Sequence, residues 1–451
     1  MAESLVGDRG ICLLNKRFLV GGMAVLIWVL SAVPAAARTF EPRGRAALLL
    51  DATSGQILYQ QNGQATNYPA STTKLLTALV AVEHGKLDQK IKISEQAIDK
   101  APDSSSCYLN LGEEQPLEHL LYGLLLPSGN DCADAIAEGV TGGNPAQFVT
   151  WMNETAKRVG ATSSHFANPS GLHDPDHYTT ALDLALIARA AFANPVVRKI
   201  SGAKEFNWPG KSFRATGEEL NGIYYNHNQM VFYYEGNVAG KTGYTEEAGL
   251  TLVNAAERNG QLLIGVVMGE PFQYIQYEDM ENLLDMGFSD FERKAAVTKG
   301  SETGTVTVTG GLAENVTAVT GGEFWISAPK GATPDITVKP VLDSTAAAAP
   351  VTAGQPLGKL EVRQGDRLLG TVPLLAKEAV DVKPATAAKL LSGLLTALKW
   401  VGGILLGLFA FRTVVKTVRR IRRGSRRRGG SFRGSGSRSR TSSITMYRTR
   451  D

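Results

Sequence analysis

The chain has 451 residues, enough for two or three domains, and its composition of 43% hydrophobic and 20% charged residues is typical of a globular protein with added apolar segments. The net charge of +4 is unevenly spread, because fourteen Lys/Arg and one acid follow from Arg412 onward and leave −9 for the rest. A mildly acidic bulk of this kind is not expected to bind nucleic acid.

The N-terminus has the pattern of a secretory signal peptide over residues 1–37. The basic pair Lys16-Arg17 precedes an apolar run from Phe18 to Leu30, and Ala35-Ala36-Ala37 offers small residues for cleavage. The alternative is an uncleaved membrane anchor, although the apolar run is shorter than the about 20 residues that a spanning helix needs.

The next segment predicts a β-hairpin followed by a helix. Ala46–Asp51 and Gln56–Tyr59 are strand-like runs on either side of a Ser54-Gly55 turn, and Ser71 to about His84 has a helical pattern that Gly85 ends. Two cysteines, Cys107 and Cys132, follow. In an exported protein they form either a disulfide or two buried thiols, and the sequence favours neither.

Ser71-Thr72-Thr73-Lys74 opens the predicted helix with an S-x-x-K motif. Residues i and i+3 share a helix face, so the hydroxyl and the amine can meet in one cleft. A serine hydroxyl is a poor nucleophile until a base takes its proton, and lysine serves when burial or a nearby cation lowers its pKa. The Ser71 N–H, at the helix N-terminus, can help to hold an oxyanion. Further S-x-x-K matches begin at Ser201 and Ser327, but no related motif follows them.

Ser128-Gly129-Asn130 lies between the helical patterns Glu118–Leu126 and Asp131–Val140. Residues i and i+2 of an extended or turn segment face the same way. A hydroxyl there can relay a proton, and a carboxamide can orient a substrate amide because it both donates and accepts. The simpler interpretation is that Asn130 caps the following helix, and the two are compatible.

Lys241-Thr242-Gly243 falls in a predicted strand, Gly240–Thr245. An edge strand at this place can align a peptide by backbone hydrogen bonds. Lys241 would attract a free carboxylate beside the Thr242 hydroxyl, Gly243 keeps bulk out of the cleft, and the Tyr244 N–H would be a second oxyanion donor. These roles predict an exopeptidase.

The first 294 residues predict an α+β fold, in which an antiparallel sheet is flanked by helices and joined by a helical subdomain. A catalytic domain is expected over residues 38–294. Besides the elements above, the pattern predicts helices at Pro145–Val159, Thr180–Phe192 and Glu278–Phe291 and strands at Leu250–Ala256 and Leu262–Met268.

The C-terminal third predicts a small all-β domain over residues 295–378, a linker at 379–388, a membrane helix at 389–415 and a basic, disordered tail at 416–451. A spanning helix is favoured over an in-plane amphipathic one because Lys389, Lys399 and Arg412 point in three directions around it. The Arg-rich tail is interpreted as a cytoplasmic topology signal that attracts anionic lipid, in preference to an RNA-binding segment.

The three motifs, in this order and at these distances, resemble those of the serine-type D-alanyl-D-alanine carboxypeptidases, the low-molecular-mass penicillin-binding proteins. Asn168-Pro169-Ser170-Gly171-Leu172 and His177-Tyr178-Thr179-Thr180-Ala181 add to the resemblance, which covers about Arg38 to Leu375.

The resemblance implies a penicillin-binding/β-lactamase-like fold on the outer side of the cell membrane, without cofactor or metal. Its substrate would be the peptidoglycan stem peptide, and β-lactams would be inhibitors. Ser71 would be the acylated nucleophile and Lys74 the proton acceptor. Ser128 and Asn130 would assist proton transfer and positioning, and Lys241 would bind the substrate carboxylate.

Two other functions and one metal site were weighed against this. A β-lactamase is less favoured, because Glu218-Glu219-Leu220-Asn221 matches the deacylating segment of such enzymes only in part and lies far downstream of Asn130. A catalytically silent wall-binding protein would not need the complete motif set. A metal site at His173 and His177 is disfavoured because Pro175 argues against the helix that would bring them together.

Overall fold

The computed structural model describes residues 41–98, 104–209, 222–384 and 387–425. The signal segment, the Glu218–Asn221 segment and most of the basic tail therefore lie outside the described residues. The described helices are α1 Lys74–His84, α2 Leu117–Leu125, α3 Asn130–Thr141, α4 Pro145–Arg158, α5 Ala181–Ala193, α6 Pro195–Ser201, α7 Met230–Tyr233, α8 Gln273–Asp290 and α9 Ala387–Ser425, and a 3₁₀ turn at Ala70–Thr73 precedes α1.

The strands fall into an early, a middle and a late group along the chain. They are β1 Ala46–Asp51, β2 Ile57–Gln61, β3 Lys90–Lys92, β4 Glu114–Pro116, β5 Glu205–Asn207, β6 Ile223–Tyr225, β7 Asn237–Thr245, β8 Gly249–Arg258, β9 Gln261–Glu270, β10 Phe291–Val297, β11 Glu302–Thr309, β12 Asn315–Thr320, β13 Phe324–Pro329, β14 Thr337–Leu342, β15 Ala346–Ala348, β16 Pro356–Gln364 and β17 Arg367–Ala376.

A five-stranded antiparallel sheet in the order β2-β1-β9-β8-β7 forms the centre of the first half. The apolar run of β1 is continuous because both of its faces are covered. Leu48 and Leu50 pack with the helices of one side, and Leu49 packs with α8 on the other, as the alternation of side chains along a strand requires. Strand β7 is the last strand in this order, so its outer edge is unpaired within the sheet.

The α+β fold predicted from the sequence is confirmed, and three local predictions need correction. Ser71 lies in the 3₁₀ turn before α1, because Ala70 has a positive φ of 50° after Pro69 and the α-helix begins only at Lys74. Helix α8 starts at Gln273, five residues before the predicted start. The earlier start was missed because the residues of its first turn are polar or aromatic and show no apolar periodicity. The sequence analysis also missed α6, although Asn194 followed by Pro195 is a helix-start signal.

The late strands form the predicted all-β part. Six strands make a sheet in the order β14-β16-β17-β12-β11-β15, and β10 pairs with β13. This part contacts the first half through polar side chains. The Gln364 amide bonds both backbone groups of Ile57 at 3.0 and 2.9 Å, and Ser327 donates to Asp51 at 2.6 Å.

Helix α9 follows the all-β part. Within the described residues, one helical segment, Lys389–Ile421, is long and apolar enough to cross a membrane, with a mean hydropathy of 1.9.

Candidate active site

The side chains of Ser71 and Lys74 meet, as the S-x-x-K spacing predicts. Lys74 Nζ lies 2.9 Å from Ser71 Oγ, although the two residues belong to a 3₁₀ turn and the first position of α1. Lys74 is fully buried. The two side chains can come this close because positions i and i+3 of the tighter 3₁₀ turn lie nearly in line along its axis.

Asn130, the first residue of α3, contacts the same amine, and Ser128, two residues before it, lines the same cavity as Ser71. Asn130 Oδ1 accepts a hydrogen bond from Lys74 Nζ at 2.7 Å. Ser128 has a positive φ of 69°, and its hydroxyl oxygen is buried without a hydrogen-bond partner among the described residues. Asn130 does not cap α3, contrary to the simpler interpretation, because it is the first helical residue and Gly129 takes the cap position.

A third contact to Lys74 comes from a segment to which the sequence analysis gave no site role. Lys74 Nζ donates to the backbone oxygen of Ser170 at 2.6 Å, and Thr77 donates to that of Pro169 at 2.6 Å. Asn168 closes this turn by accepting from the Gly171 N–H at 2.7 Å. The Asn-Pro-Ser-Gly sequence signals a turn, but nothing in it shows that the turn faces α1.

His177 holds the same segment in place. The Ala167 N–H donates to its Nδ1 at 3.2 Å, so Nε2 carries the proton and donates to Thr73 Oγ1 at 2.9 Å. Burial lowers the pKa of His177 to about 4, so its imidazole is neutral near pH 7. Both nitrogens are engaged, which makes His177 a structural partner of the helix start and leaves no lone pair for a metal.

Strand β7 brings the third motif to the opposite wall. A Cβ at Gly243 would lie 2.9 Å from the Ser71 nitrogen and 3.0 Å from the Pro69 oxygen, so only glycine lets the strand approach the 3₁₀ turn so closely. Tyr244 is exposed at 62%, and Thr242 is partly exposed. Their backbone lies on the open edge of the sheet.

Lys241 lies behind this wall. It is 1% exposed, and its Nζ donates to the backbone oxygen of Thr242 at 2.9 Å. Burial, and next the charge of Lys74, lower the pKa of Lys241 well below its usual value. The two amines therefore share one buried region, which disfavours a second positive charge there.

These residues surround a cavity of about 740 Å³. Its lining includes Ser71, Ser128 and Asn130, residues 242–246, and Leu172, His227 and Gln273. The pKa of His227 is lowered to about 4 by burial and then by Lys241, so this imidazole is also neutral near pH 7. The cavity is a cleft of the size of a small-molecule or peptide site.

A cluster of possible metal ligands lies at the start of α3 and is structural. Atoms of Cys107, Asp131 and Cys132 lie within 4.8 Å of one another, and both cysteines are free, buried thiols. Burial raises the pKa of each thiol, which disfavours the thiolate that a metal requires. The Asp131 carboxylate already accepts the N–H groups of Cys107 and Leu109 and the hydroxyl of Ser106.

The two other S-x-x-K serines have structural partners. Ser201 Oγ donates to the Gly240 oxygen at 2.7 Å and accepts from the Gly240 N–H at 3.0 Å, and so holds β7 just before the Lys241-Thr242-Gly243 motif. Ser327 contacts Asp51 and Gln261 between the two halves of the protein.

A serine in a 3₁₀ turn and a lysine at the start of the next helix face the edge strand of an antiparallel sheet that is flanked by helices. This arrangement defines a serine hydrolase of the penicillin-binding type. Comparison with known families agrees: the D-alanyl-D-alanine carboxypeptidase family matches residues 33–271, and the penicillin-binding protein 5 C-terminal domain matches residues 291–382. The chain belongs to the D-alanyl-D-alanine carboxypeptidase family.

Individual relatives are similar over most of their length. The D-alanyl-D-alanine carboxypeptidase DacD of Salmonella typhimurium is 30% identical over 383 residues, which cover 82% of this chain and 95% of that protein. DacB2 of Mycobacterium tuberculosis is 35% identical over 250 residues, covering 54% and 81%. The crystal structure of penicillin binding protein 5 from Haemophilus influenzae superposes with a TM-score of 0.62 at 28% identity and covers 76% of this chain and 98% of that one.

Proposed function

We propose that this chain is an extracytoplasmic serine carboxypeptidase that removes the terminal D-alanine from peptidoglycan stem peptides through an acyl-enzyme and is inhibited by β-lactams. The observation that carries the proposal is the 2.9 Å contact between Lys74 Nζ and Ser71 Oγ at the floor of an open cleft. A nucleophile and its base within hydrogen-bond reach are the first requirement for covalent catalysis by serine.

The partners of Lys74 support its role as the base. A neutral amine has two hydrogens and one lone pair. Asn130 Oδ1 and the Ser170 oxygen can only accept, so they can take the two hydrogens while the lone pair accepts from the Ser71 hydroxyl at 2.9 Å. The charge of Lys74 adds to burial in lowering the pKa of Lys241, so this buried region disfavours two charged amines at once.

Acylation then follows from the same geometry. Lys74 takes the Ser71 proton, Oγ bonds to the carbonyl carbon of the penultimate residue, and the N–H groups of Ser71 and Tyr244 hold the oxyanion. The carbon–nitrogen bond breaks as the Ser128 hydroxyl gives its proton to the leaving amine and takes from Lys74 the proton that came from Ser71, which leaves Lys74 neutral again. The lack of a partner for the Ser128 hydroxyl within the described segments supports this role. Water then hydrolyses the ester.

The end of β7 is assigned to the substrate terminus. Thr242 lines the cavity and would contact the terminal carboxylate directly. Lys241 is buried and would attract the carboxylate electrostatically, without direct contact. Gly243 lets β7 approach the 3₁₀ turn that contains Ser71, and the peptide would lie along the free edge of β7, with the Tyr244 N–H as an oxyanion donor.

One experiment with the full chain in detergent tests the proposal. Labelled penicillin is added, and D-alanine release from a diacyl-D-Ala-D-Ala peptide is measured. Stable labelling together with D-alanine release supports the carboxypeptidase. Rapid penicillin hydrolysis without D-alanine release identifies a β-lactamase, and no labelling identifies a silent wall-binding protein. Label that persists in Ser71→Ala removes the assignment of the nucleophile.

The proposal includes the domain limits and the membrane topology predicted from the sequence. Because β10 pairs with β13, residues 291–294 go with the all-β domain. Helix α9 would span the membrane, with its basic end in the cytoplasm and the cleft outside. Labelling of single cysteines, introduced in place of Thr371 and of Thr441, with a membrane-impermeant reagent tests this: only the first should react in intact cells.

A further inference from the structure

Two exposed aromatic rings flank a side chain that lines the active-site cavity. Phe272 precedes α8 and Tyr274 lies in its first turn, and Gln273 between them lines the cavity. The rings are nearly parallel, with 12° between their planes and 5.9 Å between their centres, and they are 58% and 67% exposed. Single exposed aromatic residues are common, but two neighbouring rings beside a ligand cavity are typical of a contact surface.

The same part of the cavity offers a carboxamide without a partner. Gln276, in the next turn of α8, lines the cavity and is 1% exposed. Its amide nitrogen is buried and has no hydrogen-bond partner among the described residues. A buried donor of this kind costs stability unless an acceptor reaches it. The last torsion of a carboxamide side chain is broad, so the group can turn toward an oxygen that enters the cavity.

Aromatic faces and a free amide donor together suit a sugar. The C–H groups on the face of a sugar ring bury apolar surface against an aromatic ring, and the hydroxyl and acetamido groups at its edge bond to amides. The proposed substrate carries a sugar chain at the N-terminal end of its stem peptide. About four residues separate the acylated carbonyl from that chain and span about 13 Å when extended, whereas a sphere of 740 Å³ is about 11 Å across. The sugar would therefore lie at the rim of the cavity, where exposed rings can meet it.

We propose that Phe272, Tyr274 and Gln276 bind the sugar chain of peptidoglycan while the stem peptide attached to it lies in the cleft. This inference rests on the proposed function. The two rings would stack on a sugar face, and the Gln276 amide would donate to a sugar or acetyl oxygen that points into the cavity. Because none of the three side chains is charged, the contact should be insensitive to salt.

The experiment compares two substrates, with the full chain in detergent. One is a pentapeptide that ends in D-Ala-D-Ala and has an acetylated N-terminus, and the other is the same pentapeptide attached to a disaccharide of N-acetylglucosamine and N-acetylmuramic acid. We expect the wild type to prefer the sugar-linked peptide by about three- to tenfold in kcat/KM, mostly through KM and equally at low and high salt. The double variant Phe272→Ala/Tyr274→Ala should reduce this ratio to about one, and Gln276→Met should lower it in part.

Phe232→Ala is the matched control. Phe232 is also an exposed aromatic residue, at 42%, but neither of its neighbours in sequence lines the cavity, and Lys204 lies over its ring. This variant should keep the ratio of the wild type. Saturation-transfer NMR with a peptide-free chain of the same two sugars gives a readout that is independent of catalysis. The wild type and Phe232→Ala should bind this chain, and the double variant should not.

Each alternative outcome has a separate meaning. If the wild type cleaves both peptides with the same kcat/KM, or if the double variant keeps the preference, the inference about the sugar is wrong and the proposed function stands. If the double variant loses the same factor on both peptides, the rings contact the peptide, and the sugar contact is refuted. If the wild type releases D-alanine from neither peptide, the proposed function is overturned, and the NMR comparison then decides separately whether the rings bind the sugar.

Discussion

Gly171 lies so close to the backbone of Ala70 that a Cβ on it would be 2.0 Å from the Ala70 oxygen. The contact presses the turn that contains Ser170 against the 3₁₀ turn that contains Ser71. Gly171 also has a φ of +83°, which disfavours any side chain. The position of the Ser170 oxygen on Lys74 therefore depends on a glycine at the next residue.

We expect Gly171→Ala to destabilise the protein by about 2–4 kcal/mol and to slow its acylation by penicillin, because the turn must move away from Lys74. Gly112→Ala is the matched control, since Gly112 has a φ of +80° but nothing within 4 Å of its Cβ position. Denaturant unfolding and the rate of penicillin labelling check both variants. Equal losses in the two would show that backbone strain alone is responsible.

We expect the burial of Lys241 to lower the stability of the folded protein, although the proposed function needs this residue for substrate binding. Its folded-state pKa is depressed, so between that value and the usual lysine pKa the unfolded chain binds more protons than the folded one, and stability rises with pH across this window. Lys241→Met removes the cost of burying the amine. It should raise stability at pH 7 by about 1–3 kcal/mol and abolish D-alanine release.

Thermal unfolding of Lys241→Met at pH 7 and pH 10 measures this effect. The gain should be larger at pH 7 than at pH 10. A variant less stable than the wild type at pH 7 would show that the bond to the Thr242 oxygen outweighs the burial of the amine.

The sequence could predict which residues gather in the site but not all of their partners. Helix and turn periods predicted that Ser71 would meet Lys74 and that Ser128 and Asn130 would face the same way, and the family resemblance implied that the two pairs share one site. The carbonyl of Ser170 could not be predicted, because a backbone oxygen leaves no mark in the residue type. The burial of Lys241 could not be predicted either. The strand pattern shows on which face of β7 its side chain lies, but not how deeply that face is covered.

The neutral form of His177 predicts acid sensitivity. The pKa is about 4 in the folded protein and 6.5 without perturbation, so stability is fully present above pH 6.5 and is lost as the pH falls toward 4. The loss reaches about 3 kcal/mol at the lower end. His177→Gln lacks this titration, so its stability difference from the wild type should shrink by that amount from pH 7 to pH 4. A constant difference would contradict the assignment.

Glu270 predicts a dependence of the opposite sign. Glu270 is buried near Asp279, and Asp279 forms an ion pair with Arg43 at 2.6 Å. Burial, together with the charge of Asp279, raises the pKa of Glu270 to about 7. The folded protein therefore keeps a proton on Glu270 that the unfolded chain releases near pH 4.5. The stability that this proton gives is complete below pH 4.5 and is lost as the pH rises to 7.

Glu270→Gln keeps the neutral shape at every pH, so the variant should be more stable than the wild type at pH 8 and no more stable than it at pH 4.5. Glu278→Gln is the matched control, because Glu278, like Asp279, pairs with Arg43 but has a side chain that is 57% exposed. Its removal should change stability little and equally at both pH values, as is usual for surface pairs. Urea unfolding at pH 4.5 and pH 8 measures the free energy of unfolding of both variants. If Glu270→Gln gains no more stability at pH 8 than Glu278→Gln does, Glu270 is charged in the folded protein and Arg43 compensates that charge.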